Sequence, residues 1–186
     1  PRCGPDFWHR NHDFRSGNFY TGGTLISGGT LFLAGDNRNG TGALSFSGGT
    51  LVFGANASLG FTPTITVNTP APSIFDTNGF NVVLAQQITG NGTLTKAGAG
   101  ILTLNAANSY TGGTSVNAGT LVAGDASNAS ATIGDVTINA AGTLAGFGSV
   151  GAVNQIGGNV APGNGGVGTL RATRYTQAAG GTLTIY

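Results

Sequence analysis

The triplet Gly-Thr-Leu begins at eight places in this chain of 186 residues: Gly23, Gly29, Gly49, Gly92, Gly119, Gly142, Gly168 and Gly181. Between and around these lie short apolar runs, among them Leu31–Leu33, Leu51–Phe53, Ile65–Val67, Val82–Leu84, Ile101–Leu104, Val136–Ile138 and Leu183–Ile185. Each is bounded by a turn signal such as SGG, AGD, TNG, NAG or NAAG. No stretch holds the helical apolar period for the roughly ten residues a helix needs. A run this short buries one or two side chains at about 1.5–3 kcal/mol each. Ordering costs about 1–2 kcal/mol per residue, and more for glycine. Such units persist only when stacked. The pattern predicts an all-β fold, a right-handed parallel β-helix with short strands and Gly/Asn-rich turns. It would have about seven to nine coils of roughly 20–27 residues at the ~4.8 Å strand spacing. A β-sandwich or barrel, with Tyr-Thr-Gly-Gly-Thr as a hairpin, is the competing architecture. Its strands are usually longer and alternate more cleanly than these.

Composition agrees with strands and narrows the partners. Glycine supplies 35 residues, Met and Glu are absent, and Lys96 is the only lysine. Only 7% of the chain is charged, against about 25% in ordinary domains. The seven cations are scattered and the formal net charge is +1, so neither nucleic acid nor an anionic membrane surface is an expected partner. At 39% hydrophobic and almost uncharged, the chain is not of disordered composition. A single cysteine, Cys3, excludes an internal disulfide and a multi-cysteine zinc site. No apolar run approaches the ~18 residues of a membrane-spanning helix. The opening PRCGPDFWHRNHDF lacks the order of a signal peptide and the closing GGTLTIY falls inside a strand pattern, so both ends read as cuts.

Two segments are near twins. NFYTGGTLISGGTL (Asn18–Leu31) and NSYTGGTSVNAGTL (Asn108–Leu121) agree at nine of fourteen positions, 90 residues apart. The expectation is that they close equivalent coils of one solenoid. The second twin lies inside GNGTLTKAGAGILTLNAANSYTGGTSVNAGTL (Gly90–Leu121). This stretch resembles the passenger-associated transport repeat of bacterial autotransporters, related to the autotransporter-associated β-strand repeat. The positions that carry the resemblance are Gly90, Gly92, Leu94, Lys96, Gly98, Gly100, Leu102, Leu104, Asn108, Tyr110, Gly112, Gly113, Thr114, Gly119 and Leu121. APGNGGVGTL (Ala161–Leu170) and YTQAAGGTLTIY (Tyr175–Tyr186) resemble the C-terminal part of such passengers.

The resemblance implies a non-catalytic stalk segment of a Gram-negative passenger that aids passenger folding and outer-membrane secretion. It would act with its own C-terminal translocator β-barrel, which is absent from this chain. The location implied is the cell surface, attached to the outer membrane or released. A monomer is expected. An adhesin face binding host glycan or protein along the β-helix is the alternative; a polysaccharide-degrading fragment is the less favoured one. Residues 1–17 read as a ragged or non-native leader and 18–186 as one β-helical segment, with 90–121 the best-matched repeat.

No catalytic, cofactor-binding or metal site is assigned. Cys3, Asp6, His9, His12 and Asp13 lie close in sequence, but in a stretch without periodicity that the leader reading accounts for. A carbohydrase needs clustered acids. Beyond the leader only Asp36, Asp76, Asp125 and Asp135 remain, and Asp36 (beside Arg38) and Asp125 fit tight turns. Lys96 is not in a phosphate loop, since the Gly-x-x-x-x-Gly-Lys-Ser/Thr spacing is missing, and is expected to be a solvated coil residue. Tyr20 and Tyr110 are expected to pack between coils. Asn39, Asn56, Asn91 and Asn128 head Asn-x-Ser/Thr triplets without implying a modification.

Overall fold

The computed structural model describes residues 12–14, 21–34, 42–59 and 64–186. Among them there is no helix, and every strand pairing is parallel. The chain is a β-solenoid of about seven turns, the architecture that short strands between glycine turns demand.

Among the described residues the strands fall on three faces. Face one holds Thr24–Ile26, Leu44–Phe46, Ile65–Val67 and Ile88–Thr89. It continues upward through backbone bonds from Ser109 N to Ile88 O (2.9 Å) and from Thr111 N to Gly90 O (3.1 Å). Face two holds His12–Phe14, Thr30–Leu33, Thr50–Phe53, Ser73–Asp76 and Leu94–Ala97. Face three holds Ala57–Leu59, Val82–Leu84 and Ile101–Leu104. Later strands run unbroken through a corner. Thr114–Ala123 and Val136–Gly146 serve faces two and three, whereas Ser149–Gln155 and Arg171–Gln177 serve faces one and two.

Alternation along each strand sends every second side chain inward, where register stacks it on its counterpart in the next turn. On face three the inward column is Val82, Leu102, Leu121, Leu144, Val160 and Leu183. On face two it is Leu31, Leu51, Phe75, Lys96, Val116, Ile138, Gln155 and Gln177. Phe75 also fills the space between faces, with ring centroids 5.1 Å from Phe46 and 6.5 Å from Phe53. The turns are uneven: 24 residues separate Leu51 from Phe75, and 17 separate Ile138 from Gln155, shorter than the spacing the sequence suggests.

The twin segments are not equivalent, contrary to expectation. Thr24–Ile26 lies on face one, whereas Thr114–Val116 lies on face two; Leu31 belongs to face two and Leu121 to face three. The repeated unit is a corner followed by a short strand, and any of the three corners accepts it. Leu25 consequently points outward at 43% exposure, because Thr24 and Ile26 take the inward places.

Of the leader reading, His12–Phe14 is a strand paired with Leu31–Leu33, and residues 1–11 and 15–17 lie outside the described residues.

Candidate functional site

The residues that define the repeat converge on the interior and its corners. Lys96 is the clearest case, and it overturns the expectation of a solvated lysine. Leu94 and Lys96 point inward while Thr95 and Ala97 point outward, so Lys96 stacks between Phe75 and Val116 with no exposed surface. Its Nζ donates to the Ala97 (2.7 Å) and Gly98 (2.7 Å) carbonyls of its own corner. It also reaches Ala118 O (3.1 Å) in the next turn and Thr77 Oγ1 (2.8 Å) in the previous one. One ammonium thereby ties three successive turns at the corner after face two. Burial pulls its pKa from 10.5 down to about 8, with the negative charge of Asp76 opposing. Glycines make the room: a Cβ on Gly119 would stand 2.9 Å from Lys96 Nζ and 2.4 Å from Gly100 O.

Gln155 and Gln177 occupy the same inward column higher up and do similar work without charge. Gln155 Nε2 donates to Gly158 O (3.0 Å) and to Thr182 O (2.9 Å) in the turn above, and Gln177 Nε2 donates to Gly181 O (2.5 Å). Tyr175 OH donates to the Oε1 atoms of both glutamines. Thr77 completes the lower end of the corner, with Oγ1 donating to Ala99 O at 2.7 Å. Neither glutamine, nor Thr77, was foreseen. Uneven turn lengths hide the column they share with Lys96 until register is known.

The other polar residues of the repeat are equally inward in purpose. Asn108 Oδ1 accepts from Ile88 N (2.9 Å), and its Nδ2 donates to Ala106 O and Thr132 O (both 2.9 Å), spanning three turns. Tyr110 is buried, as expected, and its hydroxyl bonds the buried Thr114 hydroxyl. Burial raises the Tyr110 phenol well above its ordinary range, with the Thr114 bond opposing. Tyr20 lies outside the described residues.

The acids are used locally. Asp125 Oδ1 accepts from Ser127 N (2.9 Å) and Asn128 Nδ2 (2.8 Å), and its Oδ2 accepts from Asn105 Nδ2 (2.8 Å). The Asn128 bond is the largest of the effects that hold its carboxyl below the usual range. This is the turn role the sequence suggested. Asp135 Oδ1 accepts from Ala152 N in the turn above (2.7 Å), and Asp76 Oδ1 from Asn78 N (2.8 Å). The three carboxylates thus serve separate backbone or turn bonds. Asp36 and Arg38, and Cys3, Asp6 and His9 of the leader, lie outside the described residues, and His12 and Asp13 lie in the strand paired with Leu31–Leu33. Among the described residues, no group of three or more His, Cys, Asp or Glu could hold a metal ion, and no helix is long and apolar enough to cross a membrane.

Outside, face two carries a column of hydroxyl and amide side chains: Thr30, Thr50, Thr95, Ser115, Thr137, Asn154 and Thr176, interrupted only by Ile74.

Residues 14–33 and 94–123 match the passenger-associated-transport-repeat family. The longer match contains Lys96, Asn108, Tyr110, Thr114 and Gly119, the residues that tie the turns together. These two segments are passenger-associated transport repeats. It is similar to the adhesin BmaC autotransporter of Brucella suis biovar 1 (strain 1330), with 38% identity over 107 residues, 56% of this chain. The chain spans about 3% of that relative's length. No solved structure matches it.

Proposed function

We propose that residues 18–186 form one non-catalytic stalk segment of an autotransporter passenger, whose work is to fold and hold its shape during and after passage across the outer membrane. The observation that carries this reading is the inward use of the repeat's polar residues. Lys96, Asn108, Tyr110 and Thr114 all bond neighbouring turns or the core and offer nothing to a substrate. A stack whose turns contact only their neighbours can propagate from one end, so a chain emerging unfolded would gain structure turn by turn and resist sliding back. The partner in this reading is a translocator β-barrel of the same protein. The location is the outer-membrane surface or the medium, and the segment acts as a monomer.

The test places the chain between an epitope tag and an autotransporter barrel in a Gram-negative host, and measures epitope accessibility on intact cells. Combining Lys96→Met with Asn108→Ala should lower display, whereas Thr137→Val on the outer ladder should leave it unchanged. Equal display of the parent and both variants would remove the stalk role. A second reading, an adhesive face, is supported by the word adhesin in the relative's name and by the outward ladder on face two. It predicts that the purified, folded chain binds glycans or host cells and that Thr137→Val weakens binding.

A further inference from the structure

Three Asn-Gly pairs fall among the described residues: Asn78–Gly79, Asn91–Gly92 and Asn164–Gly165. All three asparagines are exposed. The pairs differ in what the glycine amide does. Gly79 N donates to Ala99 O at 2.6 Å and Gly92 N to Val67 O at 2.9 Å, each bond reaching a neighbouring turn of the solenoid. Asn91 is further held by the bond from Thr69 N to its Oδ1 at 3.2 Å. Among the described residues, Gly165 N and the Asn164 side chain have no hydrogen-bond partner. Both residues sit in the left-handed region, at φ 49° for Asn164 and 92° for Gly165, in the loop that follows strand Asn159–Pro162. A Cβ placed on Gly165 or on Gly166 would meet no atom within 4 Å, as is also true at Gly79, so the pairs differ in the bonding of the glycine amide and not in the room beside it.

We propose that Asn164 is a site of spontaneous deamidation, with water as the only co-reactant. The Gly165 amide nitrogen attacks Cγ of Asn164 and forms a new C–N bond, closing a five-membered imide. The side-chain nitrogen leaves as ammonia, taking the proton that Gly165 N gives up. Water then adds to either imide carbonyl and reopens the ring as aspartate or as isoaspartate. Each event adds a carboxylate to a nearly uncharged molecule and takes its formal net charge from +1 to zero. At Gly79 and Gly92 the same attack first requires release of an inter-turn hydrogen bond, hence local opening of packed coil. The fold, in this reading, protects two pairs and leaves the third to react.

The experiment incubates the folded chain at mildly alkaline pH and body temperature, with a parallel sample in concentrated urea. Peptide mapping follows the amide-to-acid mass gain at each asparagine, and protein isoaspartyl methyltransferase labelling marks the isoaspartate. In the folded sample Asn164 should convert about tenfold or more faster than Asn78 and Asn91, the margin local opening imposes. In urea the three should converge. Conversion at Asn78 or Asn91 as fast as at Asn164 in the folded chain would overturn the proposal. So would an unchanged preference for Asn164 in urea, since the preference would then belong to local sequence and not to the fold.

Discussion

Replacing Lys96 with Met separates the two opposing effects of a buried cation. The substitution keeps an unbranched chain of similar reach but removes the donors to Ala97 O, Gly98 O, Ala118 O and Thr77 Oγ1. The lysine's three N–H donors, shared among these four acceptors, are worth roughly 6 kcal/mol at about 2 kcal/mol each. Burial of the ammonium, which brings its pKa from 10.5 to about 8, costs about 3 kcal/mol, and Met recovers that cost. The net expectation is a loss of about 3 kcal/mol of unfolding free energy. Lys96→Gln should restore at least half of it, because Gln155 already serves the same column with an amide. Equilibrium urea unfolding followed by far-ultraviolet circular dichroism measures both, with an unchanged dependence on denaturant required for the comparison. If the Met variant matches or exceeds the parent in stability, desolvation outweighs the bonds and the corner clip is not a stabilising device.

The same lysine sets a pH dependence. Between about 8, its value in the fold, and 10.5, its ordinary value, the unfolded chain binds the additional proton, so stability rises with pH by up to about 3 kcal/mol. Above 10.0 the unfolded chain ionises Tyr110 while the fold keeps it neutral, so stability falls again. Urea midpoints across this range should trace a dome whose rising limb disappears in Lys96→Met. Gly90→Ala should prevent folding or cost about 4 kcal/mol or more, because its Cβ would lie 1.9 Å from Val67 O at φ 110°. Gly79→Ala, with no atom within 4 Å, should cost only the about 1–2 kcal/mol of a left-handed alanine; thermal unfolding distinguishes the two. Asn108→Ala should lose about 2–3 kcal/mol by freeing Ile88 N and two carbonyls, and Tyr110→Phe about 1–2 kcal/mol by leaving Thr114 Oγ1 buried without its partner. Denaturant midpoints no lower than the parent's would refute either estimate.

The architecture was legible because its cause is local. Strands of three or four residues between glycine corners cannot be buried any other way than by stacking, and the parallel ladders follow. Which residue stacks on which was not legible. Gly-Thr-Leu marks corners, and a corner after face one reads like a corner after face three, so the twin segments look equivalent and are not. Turn lengths that vary from 16 to 25 residues remove the fixed period by which Lys96, Gln155 and Gln177 could have been aligned in advance. Lys96 misleads for a related reason: a lone lysine in a polar, glycine-rich stretch has the composition of a surface, and only the alternation from Leu94 through Leu104, anchored by register, turns it inward.

That inward lysine also answers a problem the apolar columns create. Leu, Val and Ile repeat on rung after rung, so a turn displaced by one rung would bury nearly the same surface, and hydrophobic contact alone specifies register weakly. Lys96 is different. Its ammonium keeps the Ala97 and Gly98 carbonyls of its own corner in any stacking. Its other two partners are present only if Thr77 lies one turn below and Ala118 one turn above, and a displaced stacking would leave the buried charge with half of its acceptors. Asn108 adds the same demand on a second corner, from Ile88 to Thr132. Both lie within residues 94–123, the longer of the two family matches. The repeat therefore reads as the place where a forgiving stack of leucines is given one address.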